Sequence, residues 1–350
     1  MSPHRPFQRY RFSVLAALVI LVSQMACLKT AIGGSKLDDG VVISERVDMF
    51  NSTALVNSKV GQLEKGDDVA IYHQAEVNGL EWLKVQRLKD AKVGWVEARH
   101  VVSRKLLDAC RALDEQSAHI QPQIGGRLKR ETRLRAQPSR DSDVITILKG
   151  GTEFDILKRQ RVERRTAGTD ESESPNTNTD EPDVKYDTWY LARFPEGSIY
   201  RIGWLYGGSV EIVEPPAIAG IIGSGRRMVG AIPFGTTLDK SGMALKNYFI
   251  LDKQIFSRDP TIDFDRIYVV RIDQKSGNYT AAYYELSVRG VYPVTYQNDS
   301  DTVATFKVPL LDKSGNLNQV EYTAGLVNNV WTVTKGKLPS PTETPRRGRR

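Results

Sequence analysis

Side chains able to do chemistry are sparse in this chain. Its histidines are His4, His73, His100 and His119, and its two cysteines are Cys27 and Cys110. A cysteine hydrolase pairs a thiol with an imidazole, and a zinc hydrolase gathers histidines and carboxylates at one point. No histidine follows His119, so neither arrangement has its components in the last two-thirds of the sequence. Cys110 falls in the spacing Leu106, Leu107, Ala109, Cys110, Leu113, which predicts one apolar face of a short helix and a buried, inert thiol. Carboxylate-pair chemistry on a glycan has carriers in Asp252, Asp263, Asp265 and Glu285, but the favoured reading of these residues is turn and solvent-face acids. The run Gly220-Ile221-Ile222-Gly223-Ser224-Gly225 lacks the Gly-Lys-Ser/Thr ending of a phosphate-cradling loop. No catalytic residue, metal site or cofactor is therefore expected. The aromatic residues are more promising: Trp82, Trp189 and Tyr190, placed near strand ends, are the expected ligand-binding groove, while Trp95 and Trp204 are expected in cores.

The elements that must position these residues form an internal repeat. Val60, Leu63, Gly66, Val69 and Ile71 reappear without a gap as Ile145, Leu148, Gly151, Phe154 and Ile156. A tryptophan follows in each copy, in Trp82-Leu83-Lys84-Val85 and Trp189-Tyr190-Leu191-Ala192, and a Gly-Trp-apolar triplet closes each, as Gly94-Trp95-Val96 and Gly203-Trp204-Leu205. The alternation after each glycine predicts short strands joined by tight turns, and copies this short must curl their sheet into a small barrel to bury an apolar face. This pattern resembles the bacterial SH3-like domain family, whose signature runs apolar-x-x-Leu-x-x-Gly-x-x-apolar, then Trp, then Gly-Trp-apolar. The second copy also carries that family's opening, Leu134-Arg135-Ala136-Gln137-Pro138, where the first has Val47-Asp48-Met49-Phe50. The resemblance implies two SH3-like barrels, at 41–103 and 126–213, that bind peptidoglycan, a peptide or an envelope protein.

Around the barrels the chain divides by composition. Arg5, Arg9 and Arg11 precede an apolar run from Phe12 to Val22, too short for a bilayer crossing of roughly twenty residues, so 1–26 reads as an export signal. The Ala26-Cys27 step that ends it resembles the lipobox of bacterial lipoproteins, which implies lipidation of Cys27 and a membrane anchor. Residues 104–125 read as a helical linker. The second copy is twenty-two residues longer than the first between Ile156 and Trp189, which predicts a disordered insertion over 158–187. After Glu214-Pro215-Pro216, residues 217–336 read as an α+β domain: a helix from about Leu238 to Phe256, then an antiparallel meander with turns at Lys275-Ser276-Gly277-Asn278 and Lys313-Ser314-Gly315-Asn316. Residues 337–350 form a Pro/Arg-rich tail. The fold class is thus mainly β, two small barrels followed by an α+β domain.

With 40% hydrophobic and 26% charged residues in 350, the chain is not disordered as a whole. Its net charge of +7 disappears once the three arginines of the export segment and Arg346, Arg347, Arg349 and Arg350 are set aside, so the body is neutral and nucleic acid is not an expected partner. These readings predict an exported, non-catalytic envelope protein. The alternatives are a scaffold or assembly factor acting through the C-terminal domain, and a cell-wall hydrolase.

Overall fold

A computed structural model describes residues 34–163, 186–196, 198–257 and 259–336. The predicted export segment, Cys27, most of the predicted insertion and the 337–350 tail lie outside the described residues. The chain divides into two compact units, Met1–Asp108 and Ala109–Arg350, and it is mainly β.

The first unit holds β1 (Asp38–Val42), β2 (Arg46–Phe50), β3 (Lys59–Glu64), β4 (Asp68–Val77), β5 (Leu80–Arg87), β6 (Val93–Glu97) and β7 (Val101–Ser103). They pair in the order β3-β2-β6-β5-β4-β1-β7. Alternate residues of six of these strands meet in one buried cluster that includes Val42, Met49, Leu63, Val69, Val85 and Val96. A single sheet whose strands all feed one cluster must wrap around it. Helix α1 (Arg104–Gln116) then leads out of the unit, with Leu107 and Cys110 buried on one side as their spacing predicts.

The second unit repeats this plan and adds a sheet. Strands β8 (Ile124–Leu128), β9 (Thr132–Arg135), β10 (Val144–Leu148), β11 (Glu153–Glu163), β12 (Tyr186–Arg193), β13 (Ile202–Tyr206) and β14 (Val210–Val213) pair in the order β10-β9-β13-β12-β11-β8-β14, strand for strand the order of the first sheet. The likeness reaches individual residues. Ladders slip by one residue at Ile71/His73 and again at Ile156/Lys158. Gly66 donates its N–H to Val42 as Gly151 does to Leu128, both at positive φ. A Cβ on Gly94 would come within 2.9 Å of Met49, and one on Gly203 within 2.7 Å of Leu134. The glycine of the Gly-Trp triplet is therefore required because its strand presses on a core side chain from β2 or β9. The register also corrects the sequence alignment of the openings: Phe50 and Arg135 both pair with the triplet tryptophan, so Met49-Phe50 corresponds to Leu134-Arg135.

Strands β11 and β12 continue to Glu163 and back from Tyr186, with ladder pairing as far as Glu163↔Tyr186. The predicted insertion therefore shrinks at both ends, since 158–163 and 186–187 belong to a hairpin.

The third sheet contains β15 (Arg226–Leu238), β16 (Ala244–Gln254), β17 (Phe264–Ile272), β18 (Tyr279–Gly290), β19 (Thr295–Ser300), β20 (Val303–Leu311), β21 (Leu317–Val327) and β22 (Val330–Lys335). Its named strands pair antiparallel, with one isolated parallel bridge from Tyr322 to Gly336, and the meander is as predicted, but the helix over 238–256 is absent. Leu238 and Ala244 instead face each other across a hairpin. Asp239 folds that turn by accepting the N–H groups of Ser241 and Met243, and Gly242 sits at φ +81. The three-and-four spacing that suggested a helix spans this turn, whereas Asn247, Phe249 and Leu251 alternate inward as strand residues do.

Between β18 and β20 only Gly290 and Leu310 pair, so the sheet folds over there into two layers. A Cβ at Gly290 would lie 2.0 Å from the Phe264 ring, which makes the bend a glycine position. Between the layers Phe249 stacks on Phe306 at 4.3 Å, in a buried cluster that also holds Phe234, Tyr322 and Trp331. This sheet docks on the second repeat through amide side chains. Gln123, fully buried, accepts from the Val294 N–H and donates to its carbonyl, and Gln121 does the same at Tyr296, so each glutamine stands in for a strand residue on β19 or the segment before it.

Candidate functional site

In the first repeat Gly94 and Val96 point into the core, so alternation sends Trp95 and Glu97 to the outer face of the sheet. Trp82 pairs with Glu97, Lys84 with Trp95 and Phe50 with Trp95, which collects these side chains on one outer surface. Phe50 meets Trp82 edge to face at 6.2 Å, and His73 meets Trp95 in the same manner at 5.7 Å. Trp82 is buried, whereas Trp95 is half-buried and His73 exposed. The exposures expected of these two tryptophans are therefore reversed in this repeat: Trp95 keeps some surface, and Phe50 lies against the buried Trp82.

The loop 51–58 starts directly after Phe50. It is closed by Asn51 N–H to the Ser58 carbonyl and by Ser58 N–H to Asn51 Oδ1, both at 3.0 Å, and Asn57 adds a bond from Nδ2 to the Ala54 carbonyl. Leu55 and Val56 at its tip are 94% and 92% exposed. This aliphatic pair carries no strand or helix periodicity, and sequence reading missed it. Elsewhere in this unit, His100 Nδ1 pairs with Ser44 Oγ at 2.8 Å, and burial lowers its pKa below the usual imidazole value.

The corresponding face of the second repeat is closed. Trp189, Leu191, Ile202 and Trp204 form a buried cluster with Ile120 and Leu157, and Leu113 of α1 packs against it. Arg193 anchors this linker by donating to Asp114 Oδ1 at 3.2 Å, the Ser117 carbonyl at 2.9 Å and the Ile120 carbonyl at 3.1 Å. Trp189, expected in an exposed groove, is instead buried in this cluster. Its indole N–H has no hydrogen-bond partner among the described residues, and Tyr206 meets its ring at 5.7 Å. Tyr190 is half-buried and, by strand alternation, on the opposite face from Trp189, so the two do not form one groove. Trp204 is buried as predicted. The loop 136–143 has the same length and closure as 51–58, Ala136 N–H to the Asp143 carbonyl, but opposite chemistry: Arg140 lies 5.0 Å from the Tyr206 ring and pairs with Asp187 at 2.9 Å.

The repeat alignment explains why, among the described residues, only the second repeat's face is covered. Where the second repeat has Leu157, Leu191, Arg193 and Ile202, the first has Tyr72, Lys84, Gln86 and Val93. Three apolar side chains on an outer face gain by burial, and a lysine does not. Leu191 at the lysine position was the readable signal for the cover.

The four acids of the carboxylate-pair reading are all engaged. Asp252, fully buried, lies between Arg226 and Arg266. Asp263 accepts from Arg159 at 2.9 Å and from the Tyr292 N–H at 2.7 Å. Asp265 binds Arg226 and the Gln254 N–H. Glu285 accepts from the Tyr283 and Tyr322 hydroxyls at 2.8 and 2.9 Å and pairs with Lys335 at 2.8 Å. Burial acts to raise the Glu285 pKa, but Lys335 and the two phenols outweigh it and hold the carboxyl below its usual value. Burial pushes the Cys110 thiol up to about 11, and no group of three or more His, Cys, Asp or Glu residues among those described could hold a metal ion.

No protein-family model matches the chain, and no curated protein matches it. Among solved structures it is similar to NlpC2 from Trichomonas vaginalis, at 11% identity and TM-score 0.16, covering 85% of this chain and 96% of that one. It is also similar to a protein assigned as an autolysin from Listeria monocytogenes, at 11% identity and TM-score 0.17, covering 71% of this chain and 94% of that one. Superpositions this loose leave the site to be read from its own residues.

Proposed function

We propose that the protein is a non-catalytic cell-envelope binding protein whose ligand site is the outer face of the first repeat, built from Phe50, Trp95, His73 and the Leu55-Val56 tip. One observation carries this reading: the same face is filled by the chain's own linker in the second repeat, while in the first it leaves Trp95 and His73 in contact with solvent. The second repeat then serves as a brace for the linker and the third sheet. The envelope location rests on the basic, apolar and Ala-Cys order at the amino terminus, and the ligand class on the resemblance to bacterial SH3-like domains. Peptidoglycan or an envelope peptide offers apolar and amide surface to such aromatic rings. Engagement of Asp252, Asp263, Asp265 and Glu285 in ion pairs and hydrogen bonds favours binding over glycan hydrolysis.

Sedimentation of the processed full-length protein with purified peptidoglycan tests the proposal. Trp95→Ala and the double change Leu55→Ser, Val56→Ser should each weaken retention about tenfold, a loss of ~1.4 kcal/mol, while Arg140→Ala on the second repeat leaves it unchanged. Release of soluble muropeptides would overturn the non-catalytic part. Retention indifferent to the first-repeat changes would overturn the site.

A further inference from the structure

Two arginines of the β11–β12 hairpin face the third sheet. Arg159 pairs across the ladder with Tyr190 and Arg161 with Thr188, so these four side chains share the face opposite Trp189. Arg159 donates to Asp263 at 2.9 Å and Arg161 to the Ile262 carbonyl at 3.2 Å, which sets both beside the turn before β17. Lys253 reaches the same turn through the Asp259 and Ile262 carbonyls, and Arg227 is its ladder partner on β15. Four cations gather at one end of the third sheet.

The carboxylates around them are already taken. Asp263 is shared between Arg159 and the Tyr292 N–H, and Asp259 is held by Thr261 and Arg289. Among the described residues, Arg227 and the Tyr190 hydroxyl have no hydrogen-bond partner, and Arg161 uses only the Ile262 carbonyl. Arg159, whose side chain is 9% exposed, also buries its Nε without an acceptor. An unmade buried hydrogen bond is costly, and excess positive charge away from water is costlier. Burial, with Arg159 alongside, lowers the Arg161 guanidinium to about 10, and burial with both arginines acts on Lys253 in the same direction. An anion at this point would offset each of these terms.

We propose that Arg161, Arg227 and the Tyr190 hydroxyl bind an oxyanion, the group that a phosphate and a carboxylate share, between the hairpin and the turn at 259–263. A planar guanidinium takes two oxygens of such a group at once, and a phenol O–H supplies a further donor. The site uses Tyr190 on the face away from Trp189. It is separate from the first-repeat surface in its residues and in the charge of its ligand.

Isothermal titration of the full chain with inorganic phosphate, and separately with acetate, at neutral pH and constant ionic strength tests the site. Saturable one-to-one binding of at least one of them is expected, with Kd about 1 mM. Phosphate alone would assign a phosphoryl group, acetate alone a carboxylate, and both the oxyanion itself. Arg161→Gln and Arg227→Gln should each weaken binding about tenfold, whereas Arg133→Gln, an exposed change elsewhere on the second repeat, leaves it unchanged. In phosphate-free buffer the thermal melt of Arg161→Gln should hold or rise, because one of several like charges is removed. Arg227 is exposed, so its variant tests the site without disturbing packing. No saturation up to about 30 mM, or binding indifferent to both glutamine changes, would overturn the proposal. So would binding that emerges only after the acids between 170 and 183 are changed to amides, since the chain's own carboxylates would then be the occupant.

Discussion

Trp82 and Trp95 sit on the same sheet face with different surroundings, so their substitutions should separate. Trp82→Ala empties a covered position and should cost about 3–5 kcal/mol, whereas Trp95→Ala should cost less stability and more binding. Paired urea denaturation and peptidoglycan retention measure both, and equal losses of stability would remove the distinction. The sequence showed that both tryptophans matter, but the partition depended on Phe50, whose place opposite Trp95 appears only in the register. Lys253 offers a test by pH. Its ammonium is buried and donates to the carbonyls of Asp259 at 2.9 Å and Ile262 at 2.8 Å, and burial, with Arg159 and Arg161 nearby, lowers its pKa to about 8. An unfolded lysine keeps its proton up to 10.5. Between about 8 and 10.5 the unfolded chain therefore binds more protons, and the contribution of Lys253 to stability rises with pH. The urea midpoint of the natural protein minus that of Lys253→Met should rise from pH 7.5 to pH 10; a constant difference would contradict the shift.

Elements were legible where one residue pattern answered to one layer. The repeated Leu, Gly and Trp positions are core or turn positions, so the two sheets could be read before their shared strand order was known. The hairpin β15–β16 was misread because apolar residues on either side of a turn imitate helical spacing, and the Asp239 turn bonds that break the helix are local polar contacts. The linker cover was hidden for another reason: Leu113 and Ile120 gain meaning only from Leu191 and Ile202, far along the chain. Arg193→Ala removes the donor to Asp114, Ser117 and Ile120 and should destabilise the second unit by about 3 kcal/mol. It should also red-shift the emission of Trp189 and Trp204 as the cover loosens. Unchanged emission with an unchanged melt would mean that the apolar contacts alone hold the linker.

At the scale of the whole molecule, the second repeat and third sheet share Gln121 and Gln123, so residues 109–336 are expected to unfold in one cooperative transition. Gln123→Leu leaves the N–H and carbonyl of Val294 without their partner and should lower that transition or split it in two, as calorimetry would show. A single unshifted peak would mean that the glutamine ladder is incidental. The covered face of the second repeat also bears on valency. Two linked sites ordinarily gain avidity, because binding at one raises the effective concentration at the other. Here one of the two faces is spent on the chain itself, so each molecule should follow a one-site isotherm on a multivalent polymer. Tight attachment would then need a contact outside the two repeats, and duplication of the fold would have supplied a brace instead of a second hand.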